Sequence, residues 1–250
     1  MCEKNWTINN ENSNNLIQTL NQPKLKMVSR QPRYYLVFDV ETTGLIPKQS
    51  PSSSPPLKID DYPHIIQFSF VLYDIEEHRI VRECDSYIKV AETVVISDFI
   101  TNLTGITQEM CQRKGRPMID MINEFYLLYA TCDVVVAHNI YFDETMISIE
   151  IERNRKQIIE TVPQCLCLFN AIHEKIREVE KFCTLRKSVQ FCNIPMGDGT
   201  RRKKFPKLSE LFAKLFPNET LPKNMHNSLM DVMICLKCYL MLEHNREFVV

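Results

Sequence analysis

The chain has 250 residues, of which 44% are hydrophobic and 24% are charged, and its formal net charge is −1. This length allows one sizeable core with a tail, and the near-neutral charge excludes a generally basic nucleic-acid-binding protein. No apolar run reaches the length of a membrane span, and no apolar signal core follows residues 1–6. We therefore expect a soluble, intracellular protein with no membrane partner.

The N-terminal part of the chain changes character at about residue 31. Residues 1–30 are rich in Asn and Gln and lack apolar periodicity, which predicts a disordered extension or a docking tail before a domain at 31–250. The apolar run Tyr34–Phe38 predicts a buried strand, and Asp39 and Glu41 follow on one face of it. Two carboxylates there indicate half of a site for a hard divalent cation, and the alternative is a solvated strand end.

A turn, a loop and further elements follow this strand. The segment Thr42–Leu45 leaves the strand through a glycine that permits a tight turn or a close backbone approach. The Pro- and Ser-rich stretch 47–62 predicts a flexible loop. Alternating apolar residues predict strands at His64–Ile75 and Arg79–Val90, and a helical pattern covers Met118–Tyr129.

A second strand with polar residues at its end occurs in the middle of the chain. The β-branched run Cys132–Ala137 predicts a central strand, after which a helical pattern places Asp143 in a first turn beside the strand end. The alternative for Asp143 is a first-turn residue favoured by the helix dipole. We interpret His138, directly after the strand, as a hydrogen-bonded structural residue and leave it out of the catalytic set.

The third stretch lies near the C-terminus. An amphipathic helix is predicted at Leu208–Phe216 and a largely buried one at Leu229–Leu242. Asp231 lies near the start of that buried helix, where a charge must be paired or bind a metal. His226, just before it, is a candidate base for an attacking water, and the alternative is a capping or surface histidine.

Together these stretches supply four carboxylates and a histidine. Carboxylate oxygens bind magnesium and manganese, and two such ions can stabilise both the attacking and the leaving oxygen of a phosphodiester. The combination indicates a nuclease.

The three stretches, in this order, resemble the motifs of the DEDDh family of 3′-to-5′ exonucleases. The first motif is Phe38-Asp-Val-Glu-Thr-Thr-Gly-Leu45, the second is His138-Asn-Ile-Tyr-Phe-Asp143, and the third is His226 with Asp231 five residues on. The resemblance implies an α/β fold of the RNase H-like type, with a mixed five-stranded sheet flanked by helices. It also indicates that residues 152–182 are an insertion, with Cys183-Thr184 ending the last strand.

The resemblance also implies roles for individual residues. Asp39 would bridge two Mg²⁺ or Mn²⁺ ions, Glu41 and Asp231 would complete the site that holds the nucleophilic water, and Asp143 would serve the second ion. His226 would be the general base. The substrate's 3′-terminal nucleotide would be held by Thr42, Thr43, Gly44 and Leu45, with Asn139 as a further contact.

The predicted function is a metal-dependent 3′–5′ exonuclease that releases nucleoside 5′-monophosphates from single-stranded or frayed 3′ ends. The Thr-Thr-Gly-Leu form of the first motif is similar to that of proofreading relatives and favours DNA. One alternative is an exoribonuclease that trims RNA ends, because Ser97–Phe99 and Leu103–Gln108 are similar to a segment of RNA-trimming relatives. Another is a non-catalytic nucleic-acid-binding or polymerase-docking module, with residues 1–30 or the C-terminus binding a polymerase or replication partner.

Two further features have competing interpretations. The basic run Arg201–Lys204, continued by Lys207, could guide a strand or could be a solvated loop. Reduced thiols are the expected state of the ten cysteines. Zinc binding by Cys165, Cys167, Cys183 and Cys192 is the less favoured alternative, because their spacing fits no standard site, and the Cys235/Cys238 pair lies within a buried helix.

Overall fold

A computed structural model describes residues 31–48, 56–222 and 227–248. The described residues from Pro32 onward form one compact unit. The predicted N-terminal extension, residues 49–55 of the predicted loop and the candidate base His226 lie outside the described residues.

The core of the domain is a five-stranded sheet with the order β3-β2-β1-β4-β5. The strands β1, β2 and β3 are antiparallel neighbours, whereas β4 pairs parallel to β1 and β5 pairs parallel to β4. This is the predicted mixed sheet. The bounds are Tyr34–Thr42 for β1, Ile65–Asp74 for β2, Arg79–Tyr87 for β3, Val134–Ala137 for β4 and Glu180–Cys183 for β5.

Helices cover both faces of the sheet. In chain order they are α1 (Asp98–Thr104), α2 (Gln108–Lys114), α3 (Met118–Tyr129), α4 (Ile140–Arg153), α5 (Arg155–Thr161), α6 (Ala171–Arg177), α7 (Thr184–Lys187), α8 (Val189–Cys192), α9 (Leu208–Leu215) and α10 (Ser228–His244). Short 3-10 helices lie at Ile59–Asp61 and Pro163–Cys167. None of the helices described in the structure combines the length and the apolar content needed to cross a bilayer.

Alternation along β1 divides the core into two layers. Leu36, Phe38 and Val40 face a layer that contains residues of α3 and α4, including Phe125 and Ile147. Tyr35 and Val37 face the opposite layer, which is formed mainly by α9 and α10. Because α10 lies between the sheet and α9, it is buried around most of its circumference, as its nearly continuous apolar sequence predicts.

The described end of the predicted loop is attached to α4. The Arg153 guanidinium donates to the backbone carbonyls of Ile59, Tyr62 and Pro63 over 2.6–3.0 Å. Arg153 also pairs with the buried carboxylate of Glu150 at 2.6 Å. The start of β2 is therefore fixed next to the end of β1.

The stretch expected to be an insertion is partly helical, containing α5, a 3-10 helix and α6. The Tyr129 hydroxyl donates to Glu174 at 2.9 Å, and the Arg177 guanidinium donates to the carbonyls of Tyr129 and Cys132. These contacts attach α6 to the end of α3.

Candidate active site

Two carboxylates extend from the C-terminal end of the central strand. β4 pairs only with Tyr35–Val37 of β1, so the last residues of β1 extend past β4 while remaining paired with β2. Asp39 and Glu41 are two residues apart and so share one face of β1, on the side of Tyr35 and Val37. The sheet thus holds both carboxylates beneath the start of α10.

Hydrogen bonds attach the start of α10 to the sheet. The Ser228 hydroxyl donates to the backbone carbonyl of Asp39 at 2.7 Å, and the Ser228 N–H donates to Gln67 Oε1 at 3.2 Å. The Asn227 side chain caps the helix by accepting from the Met230 N–H. Asp231, in the first turn, is thereby brought to the carboxylates of β1.

The three carboxylates form one cluster. Asp39, Glu41 and Asp231 each place a carboxylate oxygen so that the three atoms lie within 4.8 Å of one another. Hard divalent cations select oxygen donors of this kind. The donor set therefore fits the magnesium or manganese ion expected from the sequence.

Asp143 approaches the same strand end from the other face of the sheet. Its side chain is buried, and its Oδ1 accepts a hydrogen bond from the Val40 N–H at 3.2 Å. That N–H lies three residues beyond Val37, the last residue of β1 that pairs with β4, so the carboxylate supplies the acceptor where the ladder has ended. Asp143 is thus beside the cluster of three but outside it.

Burial and mutual repulsion make these carboxylates hold protons tightly. Burial first, and then the charge of Asp231, raises the pKa of Asp39 to about 8. Burial and the charges of Asp39 and Asp231 raise the pKa of Glu41 to about 9. Burial, followed by the charge of Asp39, holds the pKa of Asp143 well above its ordinary value. A bound cation would offset this repulsion, because it favours the ionised carboxylates.

His138 lies close to this edge of the sheet but has structural partners. Its Nε2 donates to the Pro206 carbonyl at 3.1 Å, and its Nδ1 lies 2.9 Å from the Thr184 hydroxyl. A carbonyl can only accept, so in the neutral ring Nδ1 is an acceptor for Thr184. Burial lowers the pKa of His138 to about 4, which favours this neutral form.

Asn139 and His226 are the two other predicted site residues of the second and third motifs. Asn139 is exposed, adopts a left-handed conformation with φ of 75°, and precedes α4 without capping it through its side chain. His226 falls within the segment 223–226, outside the described residues, which resume at Asn227 directly before α10.

A cleft of 390 Å³ opens directly beside Glu41. One wall is the turn after β1, where the Thr42 hydroxyl donates to the Gly44 carbonyl at 2.6 Å and the Thr43 N–H donates to the His64 carbonyl at 2.9 Å. A Cβ at Gly44 would contact nothing within 4 Å. The turn residues predicted from the sequence therefore line an open and mainly apolar cleft.

The opposite wall of the cleft was not predicted to contact substrate. It consists of Phe99, Ile100 and Leu103 of α1, together with Phe142 at the start of α4. Phe99 is 73% exposed, and Leu45 on the facing turn is 82% exposed. The available signal was the spacing of Phe99 and Leu103, two apolar residues on one face of a short helix that starts at Ser97.

The cysteines contribute no metal cluster within the described ranges. The carboxylate group is the one set of His, Cys, Asp or Glu side chains there that is close enough to hold an ion. Cys165, Cys183, Cys192, Cys235 and Cys238 are buried free thiols. None of the cysteines that the structure describes is joined in a disulfide.

A mixed sheet of this order, with carboxylates at the end of its central strand, defines an α/β protein of the RNase H-like class. The exonuclease family model of the RNase T type matches residues 36–239. The chain belongs to this exonuclease family, and the resemblance found in the sequence is confirmed.

Curated relatives include DNA polymerases of the PolC type. The chain is 30% identical over 143 residues to DNA polymerase III PolC-type of Caldanaerobacter subterraneus subsp. tengcongensis, which covers 57% of this chain and 9% of that protein. It is 32% identical over 120 residues to the Streptococcus sanguinis protein of the same name, and the match covers 48% of this chain and 7% of that protein. The chain thus spans less than a tenth of the length of these relatives.

Solved structures confirm the fold. A 3′-exonuclease studied in 3′-end specific recognition of histone mRNA stem-loop has a TM-score of 0.58 at 16% identity, covering 86% of this chain and 84% of that one. The nuclease domain of 3′hExo, a DEDDh family member bound to rAMP, has a TM-score of 0.56 at 17% identity. The match covers 88% of this chain and 98% of that one. E. coli Exonuclease I in complex with a dA16 oligonucleotide has a TM-score of 0.58 at 16% identity. The match covers 86% of this chain and 41% of that one.

Proposed function

We propose that this protein is a metal-dependent 3′–5′ exonuclease that releases nucleoside 5′-monophosphates from single-stranded or frayed 3′ ends, with DNA as the favoured substrate. The observation that carries the proposal is the shared position of Glu41, which belongs both to the carboxylate cluster and to the lining of the cleft. A nucleotide that fills the cleft would therefore place its phosphate at the carboxylates.

The carboxylates would hold two divalent ions. Asp39 would contact both, Glu41 and Asp231 would complete the first site, and Asp143 would serve the second through water. When bound, magnesium or manganese would neutralise the charge that develops on the attacking and leaving oxygens. The raised pKa values of Asp39 and Glu41 support this role, because such carboxylates gain most from a cation.

The proton of the attacking water would pass to His226. The base would lie on the segment that leads into α10, five residues before Asp231. Its ordinary pKa of about 6.5 suits a general base that works near neutral pH. His138 is unsuited to that role, because both of its ring nitrogens already have partners.

The cleft would bind the terminal nucleotide. Thr43 and Gly44 would contact its sugar and phosphate, Leu45 would lie against the last bases, and Asn139 would add a polar contact. A volume of 390 Å³ is within the range of small-ligand pockets, which suits one nucleotide better than a continuous strand. Attack at a chain end is the expected consequence.

Two observations bear on the alternatives. The PolC-type relatives are DNA polymerases, which supports DNA and a polymerase or replication partner. The relatives studied with RNA ligands share the fold at 16–17% identity, so the exoribonuclease is the second candidate. A purely binding module is disfavoured, because the metal-binding carboxylates of all three motifs are present.

The test is digestion of one sequence as single-stranded DNA and as RNA, labelled at either end, with Mg²⁺ or Mn²⁺ and with chelator. The proposal expects release of 5′-monophosphates from the 3′ end, loss of activity in Asp39→Ala and in chelator, and faster cleavage of DNA. Faster cleavage of RNA would select the second candidate. Intact polymers with folded, metal-loaded protein would rule out the nuclease, and copurification would then test polymerase docking.

A further inference from the structure

The basic run in the sequence belongs to a projecting hairpin. Residues 194–205, here called the basic arm, fold back on themselves: the Met196 N–H donates to the Arg202 carbonyl at 3.1 Å, and the Lys204 N–H donates to the Ile194 carbonyl at 2.9 Å. The tip is a turn in which Asp198 Oδ1 accepts from the Thr200 N–H and hydroxyl.

The base of the arm is fixed beside the candidate active site. The chain enters from α8, whose last residue, Cys192, is buried, and it leaves through the buried Pro206. The Pro206 carbonyl accepts from His138 Nε2, and His138 directly follows the end of β4. The arm therefore starts at the edge of the sheet that carries the carboxylates.

Charge is concentrated in this part of the chain. Residues 184–209 contain seven lysines and arginines and one carboxylate, in a protein with a formal net charge of −1. Arg186 and Lys187 of α7 are exposed near the end of β5. This local excess of positive charge differs from the rest of the molecule, which is acidic, and it suits a phosphate backbone.

The four cations of the arm alternate between paired and unpaired. Arg202 pairs with Asp198 at 2.9 Å, and Lys204 pairs with Glu210 at 2.5 Å. Arg201, which precedes Arg202, and Lys203, which lies between the two paired cations, have no acidic partner among the described residues. Successive side chains of extended chain face opposite ways, so around the bridge residue Lys203 the arm has a neutralised face, with Arg202 and Lys204, and a charged face, with Lys203. Arg201 precedes them in the bend at the tip.

An aromatic residue continues the charged face. Phe205 follows Lys203 by two positions and is 61% exposed. Nucleic-acid bases stack well on exposed aromatic rings, and this ring is open to solvent next to Lys203. Sites for single-stranded nucleic acid combine two components: cations that bind the phosphates and aromatic rings that stack with the bases.

We propose that the charged face of the arm, with Lys203 and Phe205, and Arg201 at its tip bind the single strand upstream of the terminal nucleotide. The inference rests on the proposed function, since it assigns the path of that substrate. The cleft opens at the end of β1, beside Glu41, whereas the arm is attached through Pro206 to His138 at the end of the neighbouring strand β4. The cleft and the base of the arm therefore lie at adjacent strand ends on the edge of the sheet that carries the carboxylates, and a strand with its 3′ nucleotide in the cleft can continue towards the arm.

The test compares two double variants that remove the same charge. Arg201→Ala/Lys203→Ala removes the unpaired cations, and Arg202→Ala/Lys204→Ala removes the paired ones. Binding of a labelled twelve-residue oligothymidylate is measured by fluorescence anisotropy in chelator over a range of salt. Hydrolysis with Mn²⁺ is measured on the same oligonucleotide and on the p-nitrophenyl ester of thymidine 5′-monophosphate, which has no upstream phosphate.

The first variant should bind the oligonucleotide about tenfold more weakly, and the slope of log affinity against log salt should fall by about 1.4, as expected for two lost contacts to a single strand. Its hydrolysis of the ester should stay within twofold of wild type. The second variant should retain most of the affinity and slope. Equal losses in both variants, or no loss in the first, would overturn the assignment of this face.

Phe205 provides an independent check. Phe205→Ala should weaken binding roughly 5- to 150-fold, the range for loss of one stacked base, with the salt slope unchanged. Phe205→Tyr should bind like wild type. Unchanged affinity in Phe205→Ala would overturn the stacking contact. Binding in chelator is independent of hydrolysis, so a wild-type protein that binds without cutting would refute the proposed function and leave the arm tested on its own.

Discussion

The Ser228 hydroxyl donates to the backbone carbonyl of Asp39 at 2.7 Å, across 189 positions of sequence. This hydrogen bond joins the start of α10 to the end of β1. Gln67 on β2 strengthens the junction by accepting from the Ser228 N–H. The spacing between Asp39 and Asp231 is therefore set by side chains that bind no metal themselves.

Ser228→Ala should weaken metal binding without removing a carboxylate. The variant removes the hydrogen bond between the buried Ser228 and the Asp39 carbonyl, which still lies opposite Ser69 in the ladder, and this costs about 0.5–1.5 kcal/mol of unfolding free energy. We expect lower Mn²⁺ affinity by calorimetry and lower kcat, with KM for the p-nitrophenyl ester nearly unchanged. Ser148→Ala, which removes an exposed hydroxyl bonded to Glu144 within α4, is the control. Equal metal affinity in both variants would contradict the positioning role.

The stability of the metal-free protein should decrease as pH rises. The folded-state pKa is about 8 for Asp39 and about 9 for Glu41, whereas unfolded carboxyls titrate near 4. Between these values the folded state binds more protons than the unfolded state, so the contribution to stability is complete below about pH 4 and is lost as pH rises towards 9. Urea unfolding in chelator from pH 5 to 9 measures this trend.

Asp39→Asn should flatten that pH dependence, because it removes one of the titrating groups. Mn²⁺ should restore stability to the wild type most strongly at high pH, where the carboxylates are ionised. Asp120→Asn, at an exposed position of α3, should leave the curve unchanged. A wild-type stability that rises with pH in chelator would contradict the prediction.

The two histidines of the motifs should respond differently to mutation. His226→Ala should lower kcat by roughly 10²- to 10⁴-fold and remove the rise of activity through pH 6–7, with Mn²⁺ binding retained. His138→Gln should lower stability but preserve the shape of the pH–rate profile, because His138 is held neutral by Thr184 and Pro206. If the rise of activity through pH 6–7 were lost in His138→Gln and kept in His226→Ala, His138 would be the general base and His226 the structural histidine.

The walls of the cleft should determine affinity for the terminal nucleotide. Leu45→Ala and Phe99→Ala should each raise KM for the p-nitrophenyl ester roughly 5- to 150-fold, a loss of about 1–3 kcal/mol of apolar contact. Both side chains are largely exposed, so the melting temperature should hardly change. Ile172→Ala, an exposed apolar residue of α6, is the control. An unchanged KM in both cleft variants would place the nucleotide elsewhere.

Local patterns predicted the elements well where one face is regularly apolar. The helix Met118–Tyr129 was predicted with the bounds it has, and the strands β2 and β3 differ from prediction mainly at their ends. The order of the motifs also predicted that Asp39, Glu41 and Asp231 lie close together, as they do in the structure. These features depend on periodicity and on residue type, both of which are visible in one sequence.

Contacts between distant segments could not be predicted in this way. Nothing near Asp143 indicates that it accepts from the Val40 N–H, because that bond depends on where β4 stops along β1. Gln67 resembles any polar residue of a strand until α10 is placed above it. The two faces of the basic arm likewise depend on Asp198 and Glu210, whose pairing follows from the hairpin rather than from the composition of the run.

Because Asp231 lies on α10, the carboxylate cluster is completed late during biosynthesis. Asp39, Glu41 and Asp143 are on elements that leave the ribosome earlier, but the cluster is complete only once α10 packs onto the sheet. A nascent chain therefore lacks the three-carboxylate cluster until α10 has docked. By the same dependence, local opening of α10 would separate Asp231 from Asp39 and Glu41, so cleavage within this helix is expected to disrupt the cluster without cutting the sheet.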